Sequence, residues 1–219
     1  MSGLLIVFEG QDGAGKSTLL TLTAEQLSKD GYPVVLVPEF SSNVLGEYFK
    51  KILEENKFLR LNTLDPSAFT ETMYVISDLY SQDELEIQPA IKSGKIVLKE
   101  RHIDSILACQ IPKIMDDYSG EKEDLLLPWL NSVAKYLTGP SLRIFLEVEK
   151  DLLQERIIER GESVSKKDLI VFDRRQEIYN QLLKKDNNWL RLPNNSDVKS
   201  AISLVVKAIK KQYDILSDR

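Results

Sequence analysis

The 219-residue chain has a single cysteine, Cys109, and a single histidine, His102. One thiol excludes an intramolecular disulfide and any cysteine-cluster zinc site, and one imidazole leaves little for a histidine-ligated metal. A reducing compartment is the expectation. Basic residues are in the minority: 29 Lys and Arg stand against 34 Asp and Glu, a formal net charge of -5. That leaves no general positive field for a nucleic acid polymer or an anionic membrane surface, so an anionic ligand must be held locally. Long apolar runs are missing too. Leu4 to Phe8 stops at the charged Glu9, too short for a signal-peptide core or a membrane span, and no other stretch approaches a spanning length. The chain is expected to be cytoplasmic, with neither membrane nor polynucleotide partners. Repeats, low-complexity tracts and Pro/Gly/Ser linkers are also lacking, which predicts one domain over residues 1–219.

What is present is alternation. Short apolar, often β-branched runs lie at Leu4–Phe8, Val34–Val37, Ile96–Leu98, Leu142–Val148 and Trp189–Leu192. Helical patterns fall between them at Lys16–Lys29, Leu45–Glu55, Ser67–Tyr80 with Asp83–Lys92, Glu121–Leu137, Asp151–Arg160, Asp168–Lys185 and Val198–Leu216. Strand-helix alternation predicts an α/β fold, a five-stranded parallel sheet with helices on both faces. The polar stretch Gly161–Lys167 between two helical patterns predicts a short lid, at about residues 161–171.

Directly after the first run, Gly10-Gln11-Asp12-Gly13-Ala14-Gly15-Lys16-Ser17 matches G-x4-G-K-[ST] and leads through Thr18 into a helix. In that context successive backbone N–H groups converge on phosphate oxygens, Lys16 brings a cation to the β/γ phosphates, and the Ser17 hydroxyl can ligate Mg²⁺. A P-loop NTPase fold binding ATP with Mg²⁺ is therefore expected, the alternative being a glycine-rich turn with a solvated lysine. A GTPase would need D-x-x-G and N-K-x-D after buried strands. Asp117–Gly120 and Ser165–Asp168 mimic those letters without following an apolar run, and read as turn and lid residues. Instead Ile96–Leu98 runs into Glu100-Arg101-His102, which puts a carboxylate and a guanidinium at the strand's carboxyl end, where doubly wound sheets bind ligands. Glu100 there can orient Mg²⁺ or its waters, and Arg101 can clamp an acceptor phosphate.

These residues carry a resemblance. Phe8 to Thr18, Glu100 to Gln110, Phe145 to Val148 and Glu155 to Gly161, with Phe172-x6-Tyr179 further on, resemble the thymidylate kinase family in order along nearly the whole chain. The resemblance implies transfer of the ATP γ-phosphoryl group to dTMP with Mg²⁺, in a homodimer. It implies substrate-binding positions at Asp12, Glu39, Phe40, Val75, Leu79, Arg101, Ser105 and Cys109. With Gly13 inside the phosphate loop, it implies a lid-borne catalytic arginine, for which Arg156 and Arg160 match; Lys166, Lys167, Arg174 and Arg175 add cations beyond the lid.

The departures cluster on the acceptor side. Glu100 stands for the family's Asp, Phe40 for a phosphate-binding arginine, Val75 and Leu79 for the phenylalanine and arginine that read thymine, and Cys109 for the tyrosine that crowds the sugar 2′ position. ATP handling reads as intact, with base and sugar recognition rewritten. Tyr74 or Tyr80 is the sequence's candidate for replacement stacking, against a role as ordinary filler. His102 lacks a second base or metal ligand beside it, Cys109 reads as packing, and Trp129 and Trp189 read as core or interface. Two other readings stay open: a deoxynucleoside or other small-molecule kinase on the same scaffold, to which a Glu-Arg pair after a strand is also suited, and a non-catalytic ATP-binding protein.

Overall fold

The computed structural model describes residues 3–55, 67–118, 123–159, 161, 163–193 and 197–217. Five parallel strands, β1 (Leu4–Glu9), β2 (Val34–Val37), β3 (Ile96–Glu100), β4 (Leu142–Glu147) and β5 (Trp189–Pro193), form one sheet in the order β2-β3-β1-β4-β5. The central strand β1 is buried along its whole length, and its register sets Phe8 opposite both Glu100 and Ile144. Successive side chains alternate between two apolar layers. Leu4, Ile6 and Phe8, with Ile96, Leu98 and Ile144, pack under α1 (Lys16–Lys29) and α9 (Val198–Ser217). Leu5, Val7 and Val97 face the other way. Burial on both faces explains why β1 reads as a continuous apolar run, and each such aliphatic or aromatic side chain contributes about 1.5–3 kcal/mol when fully buried.

On the second face lie α3 (Ala68–Gln82), α5 (Ile103–Asp117) and α8 (Lys166–Lys185), joined in one apolar cluster that includes Ile76, Leu107, Phe145, Ile178 and Tyr179. The remaining helices are α2 (Val44–Glu55), α4 (Gln88–Lys92), α6 (Glu123–Val133) and α7 (Lys150–Glu159). Trp129 stacks near Phe69, and Trp189 meets Phe145 edge-on beside the Arg143 guanidinium. Both tryptophans belong to this packing, as the sequence implies.

Three boundaries differ from the sequence reading. The two helical patterns around residues 67–92 are continuous: a π-helical turn, Asp83–Ile87, joins α3 to α4. It leaves Gln82 and Asp83 wholly buried, where Gln82 bridges Lys99 and the Pro38 carbonyl and Asp83 accepts from the Thr138 backbone and Gln88. Strand β3 runs on to Glu100, so the acidic residue belongs to the strand itself. Finally, α8 begins earlier than the Asp168 start read from the sequence, because Ser165 and Asp168 form a capping box that starts it at Lys166, inside the stretch 161–171 expected as a lid. The same box accounts for the Ser165–Asp168 letters, while Asp117 accepts from the Ala68 backbone N–H at 2.6 Å.

The loop between β2 and α2 is tied from both ends. Lys99, buried on β3, donates to the Pro38 carbonyl at 2.9 Å and the Glu39 carbonyl at 3.3 Å. Asp78 on α3 accepts from the Ser41 backbone N–H and hydroxyl. Asn43 caps α2 through Leu45 and Gly46. At Gly46 a Cβ would lie 2.2 Å from the Ser41 carbonyl oxygen and 2.7 Å from its carbon, a clash with backbone that only movement of the loop relieves. Gly46→Ala is expected to cost about 1–3 kcal/mol, as overpacking does, lowering the melting temperature by roughly 2–4 °C per kcal/mol. A thermal melt unchanged from the parent would show that the loop yields without strain.

Candidate active site

The phosphate loop follows β1 because its glycines permit what other residues resist. Gly10 has φ +138°, and a Cβ there would sit 2.8 Å from the Leu146 carbonyl oxygen; Gly15, at φ +89°, turns the chain into α1. Lys16 is buried and donates to the Gln11 carbonyl at 2.9 Å. Burial, with Arg101 nearby, pushes its ammonium down to about 8. The Ser17 hydroxyl donates to Glu100 at 3.0 Å, which brings the two sequence-selected oxygen donors together across β1 and β3. Thr18 and Ala14 line a cavity of about 480 Å³ with Leu146, Leu192, Val198 and Arg156. Arg156 reaches the loop, donating to the Gly13 carbonyl at 3.5 Å. Arg160, its partner in the sequence reading, lies outside the described residues.

Arg101 sits immediately past β3 with φ +59°, a left-handed conformation costly for a non-glycine residue. Its N–H donates to the Phe8 carbonyl at 3.0 Å, and its guanidinium donates to the Gly10 carbonyl at 3.2 Å, Ser105 at 3.0 Å and Asp12 at 2.5 Å, with Glu39 at 3.3 Å. Charge-assisted bonds are worth about 1.5–3 kcal/mol each, enough to hold the strained backbone. Although partial desolvation by the groups crowded around it opposes the shift, Arg101 and Arg175 keep the Asp12 carboxyl far below the usual range.

The sequence reading missed the group beneath this arginine. Glu9, at the end of β1, is fully buried and accepts from the His102 backbone N–H at 2.8 Å, from Ser105 and from Tyr179 at 3.1 Å. Burial, reinforced by Asp104, raises its carboxyl to about 7. The sequence reading counted Arg175 only among the cations beyond the lid; in the structure it donates to Asp12 at 2.8 Å, and the Gln11 side chain donates to the Phe172 carbonyl on the same helix at 2.8 Å. The available signal was the spacing of Phe172, Arg175 and Tyr179, three and four apart on one helix face. Arg174, one residue away, turns instead to Asp116 and the Pro112 carbonyl on α5.

A second cavity, of about 70 Å³, opens beside Arg101. Its walls include Glu39, Phe40, Val75, Leu79, Ser105 and Cys109, so every substrate position implied by the resemblance lines it except Asp12, which joins it through Arg101. Phe40, buried against Phe49, supplies the aromatic surface there. Tyr74 and Tyr80 do not: Tyr74 is exposed and Tyr80 is tied to the Val133 carbonyl at 2.6 Å, because their helix phase points them away. The polar walls Asp78 and Gln110 are already engaged, by Ser41 and by Glu71 and Thr72. His102 also lines the cavity; burial, with Lys99 and Arg143, pushes its imidazole down to about 3, and neither ring nitrogen has a hydrogen-bond partner among the described residues.

No helix among the described residues is long and apolar enough to cross a membrane. The thymidylate kinase family model matches residues 8–209. A thymidylate kinase from Mesomycoplasma hyopneumoniae strain J is 27% identical over 214 residues, 96% of this chain and 98% of that protein. A probable thymidylate kinase from Pyrococcus horikoshii is 31% identical over 182 residues, 83% and 82% of the two chains, and a thymidylate kinase from Bacillus velezensis is 32% identical over 160 residues, 72% and 69%. A phosphate loop following β1 and facing an arginine just past the neighbouring β3, within a match that spans most of the chain, places this protein in the thymidylate kinase family, as a nucleoside monophosphate kinase.

Proposed function

We propose that the chain, as one kinase domain over residues 1–219, transfers the γ-phosphoryl group of ATP to dTMP, with selectivity among pyrimidine monophosphates relaxed. The observation that carries this reading is the pairing of a phosphate loop with Arg101 across β1 and β3, the guanidinium bonded to loop residues Gly10 and Asp12. Donor and acceptor phosphates would meet there. Phosphoryl transfer asks little covalent chemistry of a protein, so alignment and cationic neutralisation supply most of the rate. Lys16 and the loop amides would hold the donor phosphates, and Arg156 would neutralise the transferred group, with Arg160 the other lid candidate.

Arg101 would hold the acceptor phosphate; Asp12, Glu39, Phe40, Val75, Leu79, Ser105 and Cys109 would shape the space for its nucleoside. The 480 Å³ cavity walled by Leu146, Leu192 and Val198 suits an adenine ring. Ser17 and Glu100, two hard oxygen donors in contact, fit Mg²⁺, which would be ligated mainly by the nucleotide phosphates and would add positive charge at the transferred group. A homodimer and a cytoplasmic location complete the reading by family likeness.

Lys16→Ala is expected to abolish turnover and leave the thermal melt in place, because the loop lysine serves developing charge in preference to packing. Near-parental turnover of any acceptor would defeat the kinase reading. Arg101→Ala is expected to raise the acceptor KM and lower kcat with ATP affinity unchanged; equal weakening of ATP would move Arg101 to the donor side.

Relaxed selectivity rests on the cavity walls. Val75 and Leu79 offer no hydrogen bond to thymine, Asp78 and Gln110 are committed to protein partners, and Cys109 leaves room at the sugar 2′ carbon. The kcat/KM for dTMP is expected to lie within about tenfold of that for at least one of dUMP, UMP and dCMP, about 1.4 kcal/mol. Competition among the four in one vessel measures it, and a preference for dTMP above a hundredfold would show a rebuilt thymine pocket.

A further inference from the structure

Read with Arg101 alone, the acceptor side of the crevice has one guanidinium for a phosphate monoester carrying close to two negative charges. The neighbouring position that could supply another cation, Phe40, is apolar and packed against Phe49 at 5.2 Å between ring centroids. A second guanidinium does reach the same place, from a distant part of the chain.

Arg175 stands on α8 between two anchors: the Phe172 carbonyl, held by Gln11, and the Tyr179 hydroxyl, which donates to Glu9. Those anchors fix the helix against the start of the phosphate loop, and Arg175 shares their face. Its Nη1 donates to one oxygen of Asp12 at 2.8 Å while Arg101 Nη2 donates to the other at 2.5 Å. Two guanidiniums are thus bridged by a single carboxylate. Their side chains are only 8% and 9% exposed, whereas Asp12 between them is 53% exposed and reachable from solvent. Arg101 and Cys109 both line the cavity beside the pair. An arrangement that spans the two oxygens of a carboxylate also suits two oxygens of a phosphate, since guanidinium forks match either anion.

We propose that Arg175 is a second acceptor-phosphate residue, forming with Arg101 a two-guanidinium clamp that selects a nucleoside monophosphate over the unphosphorylated nucleoside. The inference rests on the kinase reading above and names the group that distinguishes a monophosphate kinase from a nucleoside kinase on this scaffold. Asp12 sets the spacing of the pair, and the phosphate approaches on its solvent side. Because α8 begins directly after the lid, the clamp also makes acceptor binding depend on where that helix lies.

The test uses the full chain with Arg175→Met, Arg175→Lys and Arg174→Met. Steady-state assays give KM for dTMP and for ATP, and thymidine is titrated as a competitor of dTMP. Arg175→Met is expected to raise the dTMP KM at least thirtyfold, about 2 kcal/mol, while the ATP KM and the thymidine inhibition constant stay within threefold. Arg175→Lys falls between parent and Met. Arg174→Met, whose parent guanidinium is bound to Asp116 and Pro112, stays within threefold throughout. Equal weakening of thymidine and dTMP would assign Arg175 a packing role, an unchanged dTMP KM would remove it from the phosphate, and an equal rise in Arg174→Met would mark a general loss of charge on α8; each overturns the clamp. The kinase reading is judged separately, on the parent protein. If the parent binds dTMP by calorimetry without turning it over, that reading fails, and the thirtyfold loss in Arg175→Met is then sought in dTMP binding. A parent that binds thymidine but not dTMP overturns the clamp outright.

Discussion

One strained residue organises the crevice. Arg101 holds a left-handed backbone at the end of β3, at a cost of about 1–3 kcal/mol, and everything around it compensates for that conformation. The Phe8 carbonyl takes its N–H, Glu9 takes the next N–H along the chain, and Gly10, Asp12, Glu39 and Ser105 take its guanidinium. A residue in this conformation turns the chain sharply, so α5 starts at once and Ser105 comes back beneath the guanidinium. Without the turn, β3 would carry its side chain past the phosphate loop.

The same cluster explains why α8 cannot be treated as a separate flap. Three contacts, Gln11 to Phe172, Asp12 to Arg175 and Glu9 to Tyr179, join it to consecutive stations at the start of the phosphate loop. The phosphate loop and Arg101 are therefore held by one network, in which a shift of α8 is felt at both. That coupling serves phosphoryl transfer, where in-line placement of two phosphates supplies much of the barrier reduction. Glu9 is the hidden element. A carboxyl raised to about 7 in a fully buried site is tolerated because three donors converge on it.

The cavity beside Arg101 shows a different balance. Its polar walls are tied to neighbours: Asp78 to Ser41, Gln110 to Glu71 and Thr72, and Glu39 to Arg101. What faces inward from Phe40, Val75, Leu79 and Cys109 is mostly shape. On the proposed reading, phosphate recognition supplies affinity and the walls supply fit, which discriminates weakly between pyrimidines.

The sequence by itself determined the strands, the phosphate loop and a sheet covered on both faces, because these rest on local causes: apolar runs long enough for a doubly buried strand, glycines where φ must be positive, and a lysine-serine pair at a helix start. It also marked Glu100 and Arg101, since a charged pair just beyond an apolar run lies at the strand's carboxyl end. The start of α8 was placed two residues late because a capping box looks like polar loop until its partners are seen, and the π turn escaped because its Gln82 and Asp83 are satisfied by Lys99, Pro38 and Thr138, far away in sequence. Tyr74 and Tyr80 are the ordinary filler that the sequence weighed against stacking, because helix phase turns them from the cavity, and the aromatic wall, Phe40, comes from a loop. Only the tertiary structure brought Arg175 to Asp12 and Tyr179 to Glu9, contacts spanning 163 and 170 residues. Such pairs depend on strand order and on the rotation of α8 about its axis: the spacing of Phe172, Arg175 and Tyr179 sets them on one helix face, but only the fold decides what that face meets.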